Sequence, residues 1–212
     1  MISEAVYLHY LSALLDGDKK HCTQIVVNLI EQGLSLKEIY LELFQRSLYR
    51  IGQLWERERC SVAHEHTATK ITQGLIELVL SNSFSDFKVD KLVIIACIDK
   101  EYHELGARMV AGLFEVHGWN TILLGACTPQ KELLQLIKEK TPDLVGVSCS
   151  FYMNITRLIR LIESIEYEFP DQKILIGGQA LAEGRDECLA KYQNVEYMVS
   201  LDQLEEYLVA VK

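Results

Sequence analysis

The chain has few of the residues that cross-link or interrupt a fold. Its 212 residues include three prolines, all of them after residue 82, and six scattered cysteines with no CxxC pair. Most of these cysteines lie in apolar runs, where a thiol acts as a small hydrophobe. We therefore expect a protein that folds without disulfides in a reducing cytoplasm.

Long apolar runs and an excess of positive charge are also absent. No run approaches the roughly 18 residues that span a bilayer, and the first ten residues lack the basic start of a signal peptide. The net charge is -9, from 21 lysines and arginines against 30 aspartates and glutamates. Autonomous DNA binding requires a basic surface. The sequence therefore predicts neither a membrane nor a nucleic acid as a direct partner.

The first part of the chain has the pattern of a helical bundle. Apolar residues recur at helical spacing through residues 1–82, and Gly17 and Gly33 follow the first two predicted helices. A third helix is predicted from Leu36 to about Arg59, and Ser61 can cap a fourth. Short connections between four amphipathic helices favour an antiparallel bundle.

From residue 90 onward, strand-like apolar runs alternate with helical ones. The predicted strands cover residues 92–98, 121–124, 144–148, 173–176 and 195–199, and a short helix is predicted near 184–192. Continuous apolar strands are typical of a parallel sheet covered by helices on both faces. We expect an α/β domain of the doubly wound, Rossmann-like or flavodoxin-like class over 90–212, joined by a linker at 83–89 to the bundle at 1–82.

The loops after the first, third and fourth strands are where such a sheet binds ligands. His103 follows the first strand, and a metal-binding imidazole usually has its second ring nitrogen fixed by a carboxylate. Glu101 is the nearest candidate for that carboxylate and Asp99 the second. The sequence therefore predicts a ligand histidine supported by an acidic neighbour.

The remaining loop residues are small or polar. Gly106 would let the next helix begin close to a bulky group, and Ser148 or Ser150 could donate a hydrogen bond to a buried heterocycle. Gly177 and Gly178 would leave room for a nucleotide tail. Together these loops predict one deep slot for a large cofactor.

These residues resemble the motifs of the cobalamin-binding fold of methionine synthase and its relatives. The family motifs DxHxxG, SxL and GG are matched here by EYHELG, SCS and GG. The matched positions are Glu101, Tyr102, His103, Glu104, Leu105, Gly106, Ser148, Ser150, Gly177 and Gly178. Glutamate replaces the first aspartate and Ser150 replaces the leucine. The resemblance implies that His103 replaces the dimethylbenzimidazole base beneath cobalt, whose displaced tail enters the slot.

The helical part is similar to the cap of one branch of that family. Trp55 is followed, after nine intervening residues, by Glu65 and His66. This Wx9EH pattern and the EYHELG form resemble the CarH-type adenosylcobalamin photoreceptors more than the corrinoid methyl carriers, which usually read GDxHDIG. The resemblance implies that Trp55 packs over the upper face of the cofactor and that Glu65 and His66 help to enclose the adenosyl group.

One departure concerns the ligand above cobalt. The photoreceptor prototype has a histidine directly after the tryptophan, which becomes the upper ligand after illumination, whereas this chain has Glu56. His64 or His66 could substitute after a helix movement, or water could remain. The two histidines do not predict a zinc site, because side chains two apart on a helix point about 200° apart.

The primary hypothesis is a cytoplasmic adenosylcobalamin-binding light sensor, without enzymatic activity of its own, that signals through a homo-oligomer or a separate output protein. An adenosylcobalamin mutase would need a substrate barrel, for which 212 residues already divided between bundle and sheet leave no room. The alternative is a corrinoid methyl carrier that binds methylcobalamin and serves methyltransferases. Preference for the methyl or the adenosyl upper ligand distinguishes the two hypotheses.

Overall fold

The computed structural model describes residues 1–83, 87–182 and 184–211. The chain divides into two compact units, Met1–Phe84 and Ser85–Lys212. Residues 84–86 of the predicted linker lie outside the described residues. Each unit is described separately below.

The first unit is a bundle of helices. The helices are α1 (Glu4–Leu15), α2 (Lys19–Glu31), α3 (Leu36–Ile39), a π-helix (Tyr40–Gln45), α4 (Arg46–Glu56) and α5 (Val62–Ser81). The segment from 36 to 56 runs without a break, and its central π-helical turns were not predicted. Side-chain caps begin α2 at Asp18, α3 at Ser35 and α5 at Ser61. The predicted helical bundle is confirmed.

The third predicted helix ends earlier than the sequence indicated. It stops at Glu56 rather than near Arg59, because Glu58 takes a left-handed conformation with φ of 56°. The Arg59 amide donates to the Leu54 carbonyl at 2.8 Å, which closes the helix in the manner usually seen with glycine. A glutamate in this role carries no sequence signal.

The second unit is a five-stranded parallel sheet with helices. The strands are β1 (Leu92–Cys97), β2 (Asn120–Gly125), β3 (Leu144–Ser148), β4 (Ile174–Gly177) and β5 (Val195–Tyr197). The helices are α6 (Leu105–Val116), α7 (Gln130–Lys140), α8 (Ile155–Glu168) and α9 (Leu201–Ala210). The strand order β2-β1-β3-β4-β5 confirms the predicted doubly wound, flavodoxin-like sheet.

One predicted helix in this unit is shorter than expected and is a 3-10 helix. The stretch near 184–192 contains a short 3-10 helix, Arg185–Leu189, in place of an α-helix. Gly184, which precedes it, has φ of 80°, and the five-residue turn carries few apolar residues to pack. The charged sequence Arg185-Asp186-Glu187 gives this segment little apolar surface to bury.

The sheet brings three strand ends to one level. Cys97 of β1 pairs with Ser148 of β3, and Ser148 pairs with Gly177 of β4. The winding direction changes between β1 and β3, which is the position where open α/β sheets bind ligands. The loops that leave these strand ends therefore form the candidate site.

Within the described parts of the chain, no helix combines the length and apolar character needed to cross a membrane.

Candidate functional site

A carboxylate and an imidazole form the centre of the site. The Glu101 side chain is 1% exposed and the His103 side chain is 71% exposed, and Oε1 of Glu101 lies 2.5 Å from Nδ1 of His103. The backbone amide of His103 also donates to Oε1 at 3.1 Å. A carboxylate that accepts a hydrogen bond from Nδ1 favours the tautomer with the proton on Nδ1. Nε2 then carries no proton and lies on the side of the ring away from Glu101.

The structure distinguishes the two acidic candidates for this role. Glu101 contacts the imidazole, whereas the Asp99 carboxylate lies 3.9 Å from the guanidinium of Arg157. Cys127 of the loop after β2 also lies near Asp99, with its Sγ 3.8 Å from Oδ1.

The second oxygen of Glu101 is held by the loop after β3. The backbone amides of Ser150 and Phe151 each donate to Oε2 at 2.9 Å. Burial alone raises the pKa of the Glu101 carboxyl, but the hydrogen bonds from His103, Phe151 and Ser150 outweigh burial and hold its pKa at about 2. Glu101 is therefore an anion at neutral pH.

Asn154 is a site residue that sequence reasoning missed. It is buried, and its Nδ2 donates to the Lys100 carbonyl at 3.2 Å and to Oε2 of Glu101 at 3.4 Å. Lys100 has φ of 64°, a left-handed conformation that a lysine rarely adopts. The Asn154 amide thus stabilises both the carboxylate and the strained turn before it. An asparagine in a polar loop gives no signal of this role.

Glu104 is a predicted site residue that anchors the loop after β2. The sequence did not predict that this loop is part of the site. Its Oε2 accepts a hydrogen bond from the Ala126 amide at 3.0 Å, and its Oε1 lies 3.3 Å from Nε of Arg108. A Cβ added to Gly125 would lie 2.7 Å from Oε2, so a glycine is needed for this approach. The Cys127 amide, which donates to the Glu101 carbonyl at 2.8 Å, adds a second link between the loops.

The motif glycines have two different surroundings. A Cβ on Gly178 would lie 2.3 Å from the carbonyl oxygen of Cys149, and Gly178 has φ of 98°. The packing of the polypeptide backbone therefore requires a glycine at position 178, with or without a cofactor. A Cβ on Gly106 or Gly177 would meet no atom within 4 Å apart from those of its chain neighbours and, for Gly106, the backbone of its own helix. These two glycines leave open space at the end of β4 and at the first turn of α6.

The other predicted residues of the second unit lie at the same edge. Ser148 ends β3 and is buried, and Ser150 is half-buried with its amide on Glu101. Tyr102 is 68% exposed beside His103, and Leu105 begins α6. Hydrogen bonds from the two serine hydroxyls to a cofactor remain a prediction.

The predicted cap residues lie in the bundle. Trp55 is near the end of α4 and is 48% exposed. Glu65 and His66 lie in the first turns of α5, with the His66 Nε2 3.6 Å from a Glu65 oxygen. His64 is a candidate upper ligand. Its Nδ1 accepts a hydrogen bond from the Ser61 amide at 3.1 Å and so helps to cap this helix. Enclosure of an upper ligand by these residues remains a prediction.

The donor set indicates the kind of metal that fits. Over residues 1–83, 87–182 and 184–211, no group of three or more histidine, cysteine or acidic side chains could hold a metal ion. One ordered imidazole is nevertheless sufficient for a metal that arrives already coordinated by a macrocycle. His103, Glu101 and the open space at Gly106 and Gly177 therefore fit a corrinoid better than a bare ion.

Comparison with known proteins agrees with this geometry. The B12 binding domain family matches residues 91–212, and a second B12 binding domain family matches residues 9–80. Trimethylamine corrinoid protein 1 of Methanosarcina acetivorans is 22% identical over 171 residues, which are 78% of this chain and 79% of that protein. Dimethylamine corrinoid protein 1 of Methanosarcina mazei is 20% identical over 182 residues, which are 84% of each chain.

Solved structures share the fold. The monomethylamine corrinoid protein of Methanosarcina barkeri superimposes with a TM-score of 0.85 over the whole of both chains, at 12% identity. The methanol:cobalamin methyltransferase complex MtaBC of the same organism matches with a TM-score of 0.53 at 14% identity, over 99% of this chain and 80% of that one.

These relatives favour the alternative hypothesis from the sequence over the primary one. They give specific support to corrinoid proteins and none to the CarH-type photoreceptors. Three of them are named as corrinoid proteins and the fourth as a methanol:cobalamin methyltransferase complex, which agrees with the expectation that the chain alone is not an enzyme. The chain belongs to the B12-binding domain family and is a cobalamin-binding protein.

Proposed function

We propose that this protein is a corrinoid carrier, whose bound corrinoid would take up a methyl group from one methyltransferase and deliver it to a second. The observation that carries the proposal is the similarity to methylamine corrinoid proteins, which extends through bundle and sheet alike. The proposal takes the place of the light sensor as the leading hypothesis.

His103 is the residue that would bind cobalt from below, through Nε2. The Glu101 anion makes this imidazole more basic and holds its ring in one orientation, because the carboxylate is itself fixed by the amides of Ser150 and Phe151. When bound, the corrinoid supplies the cobalt atom from which a methyl group is transferred. The protein side chains supply the ligand, its orientation and the enclosure.

The space beside the strand ends would take the nucleotide tail. Gly177 and Gly106 present no side chain there, and Ser148 lies at the same level on the neighbouring strand. The proposal requires that His103, and not the base of the nucleotide tail, would bind the cobalt atom.

The light sensor remains the second candidate, and one specific feature supports it. Trp55, Glu65 and His66 keep the Wx9EH spacing of the photoreceptor cap. Glu56 stands where that family has its second histidine, so a light response would need a different upper ligand.

The test is a titration of the purified protein, in darkness, with methylcobalamin and with adenosylcobalamin. The proposal predicts base-off, His-on spectra, tighter binding of the methyl form and an unchanged oligomeric state after illumination. Tighter binding of the adenosyl form, together with a light-dependent change in oligomeric state, would favour the sensor instead. The Trp55→Phe variant should be titrated in the same way, because the carrier hypothesis predicts little change in its affinity for methylcobalamin.

A further inference from the structure

The core of the helical bundle contains side-chain hydroxyls that make no hydrogen bond to another described residue. They include those of Tyr10 in α1, Ser47 in α4 and Thr72 in α5, and each of these residues is 0% exposed. A buried polar group without a partner is costly, and in native proteins such groups usually bind an ordered water molecule. The core of the bundle therefore needs a polar ligand.

Two of these hydroxyls are neighbours. Burial raises the pKa of Tyr10 well above its usual value, and the Thr72 side chain offsets part of this rise. The Tyr10 hydroxyl therefore stays protonated, and it can donate one hydrogen bond and accept others. The Tyr10 and Thr72 oxygens nevertheless make no direct hydrogen bond to each other. A small polar molecule that bridges them can satisfy both.

The third hydroxyl follows an irregular part of the longest helical segment. The π-helix Tyr40–Gln45 runs directly into α4, in which Ser47 and Ile51 are buried. Phe44 of the π-helix packs on Tyr10, and their ring centroids lie 6.1 Å apart. π-helical turns are rare and are frequently found at functional sites. The π-helix thus lies beside Tyr10, and Ser47 enters the core just after the π-helix ends.

We propose that Tyr10, Ser47 and Thr72 bind one internal water molecule in the core of the bundle. One water molecule forms two to four hydrogen bonds, so it can satisfy all three hydroxyls. The buried residues of the described bundle include no charged side chain, so a neutral ligand fits better than an ion. A close-packed core also has space for only a small molecule.

This site lies within the bundle and does not involve His103 or its carboxylate. It is therefore independent of the proposed function. Its tests use the cofactor-free full chain, so failure of the protein to act as a methyl carrier would not change their outcome.

The first test removes the hydroxyls without changing the shape of the core. We expect Tyr10→Phe, Ser47→Ala and Thr72→Val each to lower the melting temperature by about 2–4 °C, because the water loses a partner. The triple variant should lose clearly less than the sum of the three single losses, because the water leaves together with its partners. Tyr167→Phe is the matched control and should not change the melting temperature, since Tyr167 is 88% exposed.

The second test detects the water directly and does not depend on the folding of any variant. A crystal structure of the unmodified protein at high resolution should show one ordered water within hydrogen-bond distance of the three hydroxyls. The same site in crystals of the triple variant should contain no water, because an apolar cavity of this size stays dry.

Three results would overturn the inference. Higher melting temperatures of the single variants would show that the hydroxyls have no ligand, because removal of an unpartnered polar group stabilises a core. Strictly additive losses would show that the hydroxyls do not share one ligand. A crystal structure in which the three hydroxyls bond one another or the backbone, with no water among them, would show that the protein satisfies them without a ligand.

Discussion

The Glu101 carboxylate lies 2.5 Å from Nδ1 of His103, and the same carboxylate accepts hydrogen bonds from two backbone amides of the loop after β3. One buried anion therefore links the predicted ligand histidine to a neighbouring strand end. The orientation of the imidazole therefore depends on the loop after β3 as well as on its own loop. The predictions below follow from this link.

Replacement of Glu101 should affect both folding and ligation. Glu101→Gln keeps the size of the side chain but removes the charge, and Glu101→Ala leaves the amides of Ser150 and Phe151 without their acceptor. A buried donor without an acceptor costs about 1–3 kcal/mol, so we expect the alanine variant to lose about that much free energy of unfolding in urea. Glutamine should lose less stability but still reduce the His-on fraction in the cobalamin spectrum. Full stability and full His-on ligation in both variants would contradict this role.

Loss of the Asn154 amide should weaken the same network. Asn154→Ala removes donors to the Lys100 carbonyl and to Glu101, and we expect a loss of about 1–2 kcal/mol in the free energy of unfolding. The matched control is Asn194→Ala, since the exposed Asn194 amide donates to the Pro170 carbonyl at 2.7 Å. The control should cost less than 1 kcal/mol, and an equal loss in the two variants would argue against a special role for Asn154.

The two kinds of glycine should respond in opposite ways. Gly178→Ala forces a Cβ against Cys149 at a positive φ, so it should destabilise the cofactor-free protein by more than about 1 kcal/mol. Gly106→Ala lies in the first turn of α6 with space around it, and should stabilise that protein by up to about 1 kcal/mol.

The Gly106→Ala variant should also be compared with the unmodified protein in its affinity for a corrinoid. If the space at Gly106 serves the cofactor, the stabilised Gly106→Ala variant should bind cobalamin more weakly than the unmodified protein. Chemical denaturation and spectral titration on the same preparation measure both quantities. A gain in stability with unchanged affinity would show that the glycine does not make room for the ligand.

The left-handed Lys100 gives a prediction about strain. A non-glycine residue in this region costs of order 1–3 kcal/mol, so Lys100→Gly should stabilise the cofactor-free protein by about 1 kcal/mol. Thr141→Gly is a control with the same backbone change, because Thr141 has φ of 45° at the end of α7. Both variants should gain stability in urea denaturation, but Lys100→Gly alone should alter the cobalamin spectrum, since only Lys100 lies in the His103 loop.

The sequence predicted the parts of the fold that depend on periodic apolar residues. The runs at β1 and β3 could be recognised because strands buried on both faces need nearly continuous apolar side chains. Ser61 could be recognised as a cap because its hydroxyl replaces a missing helical acceptor. The proximity of Glu101 to His103 was expected from their spacing of two residues.

Other features depend on contacts between distant segments. The role of Asn154 requires knowledge that the loop after β3 lies beside Lys100, which a single sequence does not contain. The same is true of the contact between Glu104 and the loop after β2. The π-helix Tyr40–Gln45 and the left-handed Glu58 arise from residue types that more often continue an α-helix. Family comparison was needed to favour a methyl carrier over a light sensor, because both use the same lower ligand.

The most direct test of the account is electron paramagnetic resonance of the cob(II)alamin-loaded protein labelled with 15N-histidine. The account predicts that the axial nitrogen splitting changes from the triplet of 14N to the doublet of 15N, and that His103→Ala abolishes this doublet. A triplet that persists in the labelled protein would show that the base of the cofactor, and not His103, remains bound to cobalt, and would contradict the central claim.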